Sequence, residues 1–173
     1  MEDHMTVEQA IKTAIEYETK VRDVYKEAMN KATDDDGKRI FKLMADEEQH
    51  HLDYLYEKLA KLQASGELTI EGLKTALPAK EKIGKGMSDM KAEVEKKDFK
   101  QEINMLEKAV EAERVTSEFY RKMVRELPGD AQKMFAQFLE IEEGHLALVQ
   151  AELDSVSKSG FWLGTQEFDL YGD

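Results

Sequence analysis

Glu48-Gln49-His50-His51 and Glu142-Glu143-Gly144-His145 each set a carboxylate three residues before an imidazole. On a helix that spacing puts both groups on one face. Each pair has a companion, Glu18 and Glu113, on a separate segment whose other matching positions are apolar. Four inward carboxylates repel one another and lose hydration, at a cost of several kcal/mol each unless something neutralises them. Two divalent cations would balance the four negative charges, with neutral imidazoles filling the remaining positions. Oxygen and imidazole ligands without sulfur suit iron or manganese, and zinc acceptably. The reading of these six residues, Glu18, Glu48, His51, Glu113, Glu142 and His145, is therefore a two-metal site.

The elements that must position them are four helices, expected at about 6–31, 37–63, 99–127 and 131–157. Ile11, Ile15, Glu18 and Tyr25 fall on one face of the first, with Thr6 and Gln9 as a capping box. Phe41, Met44, Glu48, His51, Leu55 and Leu59 form the stripe of the second, after N-cap candidates in Asp34-Asp35-Asp36-Gly37. Ile103, Leu106, Val110, Glu113, Tyr120 and Val124 mark the third, ended by Pro128-Gly129-Asp130, which also caps the fourth. The fourth carries Phe135, Phe138, Glu142, His145 and Val149. Residues 64–98 form a crossover with a short helix expected near 70–76, and residues 158–173 form an aromatic tail expected to dock on the bundle or on a second subunit. Two tight turns and one long crossover are the connectivity of ferritin-like bundles.

The halves repeat. Glu113 lies 95 residues after Glu18, and Glu142 lies 94 residues after Glu48. Seven residues separate Glu18 from Tyr25, Glu113 from Tyr120, Phe41 from Glu48 and Phe135 from Glu142. One hairpin used twice gives a pseudo-twofold axis that sets the two polar sets face to face. Glu47, Glu140, Glu143 and His50 read as solvated side chains, His4 as a terminal residue without a role, the methionines as packing and Trp162 as a docking anchor. Tyr25 and Tyr120 read either as core aromatics or as hydroxyl donors to ligating carboxylates.

Composition narrows the partners. At 173 residues the chain fits one domain with a substantial core. A net charge of −12 repels nucleic acid and anionic membrane, so neither is expected as a partner. The absence of cysteine excludes disulfides, a thiolate nucleophile and metal held on sulfur. The acidic start Met1-Glu2-Asp3-His4 shows no secretory pattern, and a cytoplasmic location is the expectation.

At "AIEYETKVRDVY", "FKLMADEEQHHL", "AVEAERVTSEFY" and "FLEIEEGHLAL" the sequence resembles the rubrerythrin branch of the ferritin-like superfamily. The resemblance implies an all-α four-helix bundle with a di-iron centre. Glu48 and Glu142 would bridge the ions, Glu18 and His51 would complete one position, and Glu113 and His145 the other. It further implies reduction of hydrogen peroxide or dioxygen, or a ferroxidase or iron-storage role at the same site, in a homodimer. Full rubrerythrins carry a rubredoxin-like iron site on four cysteines; this chain has none, which implies an external electron donor. Many also carry a second Glu three residues after the one on the third helix, where this chain has Thr116.

Overall fold

The computed structural model describes residues 4–83 and 98–163. Four long helices carry the fold: α1 (Val7–Lys31), α2 (Asp35–Ser65), α3 (Lys100–Glu126) and α4 (Gly129–Ser159). Together they make an all-α ferritin-like bundle in which α1 packs on α2, α3 on α4, and α1 on α3.

Local chemistry explains the ends. Thr6 and Gln9 exchange side-chain and backbone bonds at 2.8 and 3.2 Å, closing the capping box that starts α1. Asp34 accepts from the amides of Asp36 and Gly37, both at 3.0 Å, and starts α2. Gly66 ends α2 at φ 73° and Gly160 ends α4 at φ 65°, conformations that glycine adopts without a Cβ penalty. One cap differs from expectation. Asp130 lies inside the first turn of α4, and Pro128 precedes the helix without any side-chain cap bond.

The core divides into two apolar blocks with the polar residues between them. On every helix the order is apolar block, acid or histidine, apolar block: Ile11 and Ile15, then Glu18, then Val21 and Tyr25 on α1. The same sequence of layers holds for Phe41, Glu48 and Leu55 on α2, for Leu106, Glu113 and Phe119 on α3, and for Phe138, Glu142 and Val149 on α4. Because antiparallel neighbours cross at mid-length, four polar positions written far apart converge at one level.

The crossover departs from expectation. Residues 70–76 form no helix; their polar backbone groups are taken by side chains of the bundle instead. The Leu73 amide donates to Gln137 at 3.2 Å, the Ala76 amide to Glu47 at 3.1 Å, and Tyr54 donates to the Glu71 carbonyl at 2.9 Å. Pro78 also disfavours helix at the residue before it. A helical turn starts only at Lys80. Gly84 and Gly86 of the crossover lie outside the described residues, as do Phe168 and Tyr171 of the tail.

What is described of the tail docks on the same chain. Trp162 packs edge-on against Phe41 and Phe99, with ring centroids 5.8 and 6.1 Å away, while Phe161 stays exposed. Gly37 makes room for the indole, since a Cβ there would stand 2.8 Å from Trp162 Cζ2. Gly37→Ala therefore displaces the sole tryptophan of the chain. The expected result is a red-shifted emission maximum and a loss of about 1–3 kcal/mol in urea unfolding.

Candidate metal centre

All six sequence-selected residues are buried, and the structure brings them together at the middle of the bundle. Ligand-capable atoms of Glu48, His51, Glu142 and His145 all lie within 4.8 Å of one another. The His51 and His145 rings stack across the α2–α4 interface, 5.2 Å apart and 3° from parallel. His51 Nδ1 stands 3.2 Å from Glu18, 3.3 Å from Glu48 and 3.0 Å from Glu142. His145 Nδ1 stands 2.8 Å from Glu48, 3.7 Å from Glu142 and 3.9 Å from Glu113. Glu48 and Glu142 thus touch both imidazoles, whereas Glu18 approaches only His51 and Glu113 only His145.

The tyrosines anchor the outer carboxylates, and they do so crosswise. Tyr25 on α1 donates to Glu113 on α3 at 2.5 Å, and Tyr120 on α3 donates to Glu18 on α1. Sequence spacing places each tyrosine along the same face as the Glu of its own helix; the fold turns each toward the other helix. Burial first, then the neighbouring carboxylates, pushes both phenols well above their usual range, so both remain donors. Removing either hydroxyl forfeits a hydrogen bond to a charged group. Tyr25→Phe and Tyr120→Phe are each expected to weaken metal binding about tenfold in a calorimetric titration.

Electrostatics show what the cluster requires. Burial, then repulsion from Glu113 and Glu18, lifts the Glu48 carboxyl to about 7. Burial, then Glu18 and Glu48, lifts Glu142 to about 7 as well. Burial and Glu142 hold Glu113 well above the usual carboxylate range. Glu18 goes the other way, because His51 outweighs its burial. Burial opposes charge on His51 and His145, but the surrounding carboxylates prevail and raise both. Without metal the layer must therefore hold protons. Even so, Glu48 Oε2, Glu113 Oε2 and Glu142 Oε2 are buried without a hydrogen-bond partner among the described residues. Buried carboxylate oxygens converging on two imidazoles are compatible with divalent cations.

Residues 9–153 match the family model described as Rubrerythrin. The chain belongs to the rubrerythrin family. No curated protein and no solved structure gives a match. The family and the buried Glu/His cluster together make this chain a rubrerythrin-type bundle compatible with a two-metal site. Among the described residues no helix is long and apolar enough to cross a membrane.

Of the four side chains read as solvated, only Glu47 is buried. His50 and Glu140 are exposed, and Glu143 is half-buried in an ion pair with Arg121 at 3.0 Å. Glu47 is a correction: it is buried, not solvated. Its carboxylate accepts from the Thr75 hydroxyl at 2.6 Å and the Ala76 amide at 3.1 Å, and lies 3.7 Å from His145 Nε2. Burial would raise its carboxyl, but His145, Thr75 and Ala76 hold it down at about 2. The crossover segment covers it, and helical periodicity carries no trace of that cover. Thr116 is buried and turns its hydroxyl to the Ala112 carbonyl at 2.9 Å, adding no carboxylate to the cluster.

Proposed function

We propose that this rubrerythrin-family chain is a di-iron oxidoreductase that reduces hydrogen peroxide or dioxygen with electrons from an external donor. The observation that carries the reading is the buried layer of Glu18, Glu48, His51, Glu113, Glu142 and His145, in which Glu48 Oε2, Glu113 Oε2 and Glu142 Oε2 lack hydrogen-bond partners among the described residues. Iron held by these residues would supply the two electrons that an oxygen species takes up, and the external donor would replace them. Glu48 and Glu142, central to both imidazoles, would bridge; Glu18 with His51 and Glu113 with His145 would close the two ends. Manganese or zinc would fit the same donors.

The chain's own groups set the conditions. Tyr25 and Tyr120 fix Glu113 and Glu18 in place. Phe138 packs edge-on against the His51 ring at 5.5 Å. A cavity of about 130 Å³ beneath the crossover, bordered by Thr75, Pro78, Ile141, Gly144 and His145, provides room for a molecule of peroxide size next to the cluster. Reduction of peroxide to two waters consumes two electrons and two protons. An external donor is part of the reading because the chain has no cysteine to hold an iron–sulfur relay.

One observation favours a second reading. Thr116, its hydroxyl turned to the Ala112 carbonyl, stands where the resemblance implies a further carboxylate, so a ferroxidase that oxidises and hands on or stores iron would use the same six residues. Steady-state turnover separates the two. A peroxide reductase consumes peroxide faster than oxygen and keeps its iron, whereas a ferroxidase reacts no faster with peroxide and releases ferric iron. A homodimer belongs to the proposal as well. The apolar groove of about 750 Å³ between α1 and α3, lined by Val21, Val24, Met105, Ala112 and Val115, supports it, and sedimentation tests it.

A further inference from the structure

The internal repeat is broken beside the cluster at two positions. Glu48 and His51 correspond to Glu142 and His145, so Glu47 corresponds to Ile141 and His50 to Gly144. The outer nitrogens of the two imidazoles differ accordingly. Neither His51 Nε2 nor His145 Nε2 has a hydrogen-bond partner among the described residues. Yet His145 Nε2 faces the Glu47 carboxylate at 3.7 Å, while Glu18, Glu48 and Glu142 each approach His51 most closely at Nδ1.

The crossover creates this difference. Its described residues 75–80 run over α4 at Gly144, which lets the Pro78 carbonyl approach to 3.2 Å from the place a Cβ would occupy. There Thr75 and Ala76 grip both oxygens of Glu47 and hold it dry. A gripped carboxylate 3.7 Å away needs only a small adjustment of the ring to accept the Nε2–H of His145. A ring nitrogen committed to a carboxylate fixes the imidazole's tautomer and orientation and strengthens its other nitrogen as a donor.

We infer that Glu47 is a positioning residue for His145, held by the crossover, and that it makes the two metal positions unequal, the one at His145 being the tighter. This rests on the two-metal reading.

Cobalt(II) titration of the metal-free chain, followed by calorimetry and visible absorption, tests it. The variants are Glu47→Ala, Glu47→Gln and Thr75→Ala, with Glu47→Ala also combined with His51→Ala and with His145→Ala. Glu47→Ala is expected to weaken one of the two cobalt sites by about 10–100-fold. The same loss is expected to persist in the His51→Ala background and to shrink to within about twofold in the His145→Ala background. Glu47→Gln keeps a neutral acceptor and volume, so it is expected to fold like the wild type and to show a smaller loss in the same site. Thr75→Ala removes a strap contact but leaves the carboxylate, and is expected to stay within about twofold of wild type.

Equal losses in both histidine backgrounds would show that Glu47 acts only through the strap or its bulk charge, and would overturn the inference. So would a Thr75→Ala loss as large as that of Glu47→Ala. A wild-type chain that bound fewer than two cobalt ions would sink the two-metal reading itself, and the inference with it.

Discussion

Glu48→Gln is expected to abolish two-metal binding and, at the same time, to stabilise the metal-free protein at pH 8. The two effects have one cause. Glu48 sits between both imidazoles, 2.8 Å from His145 and 3.3 Å from His51, so no ion at either position escapes its loss. Deleting a ligand exceeds the roughly 10–100-fold penalty for groups that merely orient ligands, and stoichiometry should fall below two. In the metal-free chain, burial and the neighbouring carboxylates raise this group to about 7 from an unfolded value near 4.5. Above pH 7 the folded state therefore carries a charge it resists by about 1–3 kcal/mol, and the amide relieves it without opening a cavity. Glu142→Gln should behave alike, having the same environment. Urea unfolding of the chelated variants at pH 8 together with metal analysis reads both effects. A Glu48→Gln protein that still binds two ions, or is less stable than wild type when metal-free, would contradict this explanation.

The second large effect is that metal adds more stability as pH rises. Folded Glu48, Glu142 and Glu113 keep protons above the pH at which the unfolded chain loses them. His51 and His145 likewise hold protons in the folded state beyond their usual range. The folded metal-free chain thus binds more protons than the unfolded one, and its stability falls as pH rises. For Glu48 and Glu142 the fall spans about pH 4.5 to 7; the histidine contribution is complete below about 6.5 and fades above it. Glu18 and Glu47 act oppositely, and only in the acid range below pH 4.5. Metal displaces these protons, so its affinity climbs over the same interval in which the metal-free protein weakens. At about 1,000 times the dissociation constant one ion adds about 4 kcal/mol, on the order of 10 °C in melting temperature for a chain this size. Calorimetric melting at pH 5.5 and pH 8, with and without metal, should show a gap that widens toward pH 8. A gap independent of pH would contradict the proton-laden layer.

Much of this site is legible in the sequence because helices make it so. Glu18, Glu48, Glu113 and Glu142 interrupt apolar stripes whose period fixes their direction, and the repeat fixes their mutual level. The groups that periodicity misses are buried by chain outside the helices. Glu47 is one helical position from Glu48 and points away from the core stripe, so only the strap at residues 75–76 makes it interior. Glu102 is buried because it accepts from Thr33 and Asp34 at the α1–α2 turn, at 2.9 to 3.4 Å. Lys58 is covered where Thr69 meets its ammonium at 3.3 Å and Tyr54 lies beneath it at 5.0 Å. Irregular segments follow side-chain partners instead of a period, which is also why the sequence suggests a helix near 70–76 where an extended strap lies.

The most direct measurement is reconstitution of the metal-free chain with ferrous iron under anaerobic conditions, with iron counted per chain and Mössbauer spectra taken before and after one equivalent of peroxide. A buried two-metal layer should load two irons per chain, and these should oxidise together into a coupled ferric pair. One iron per chain, or isolated ferric signals with no coupling, would contradict it.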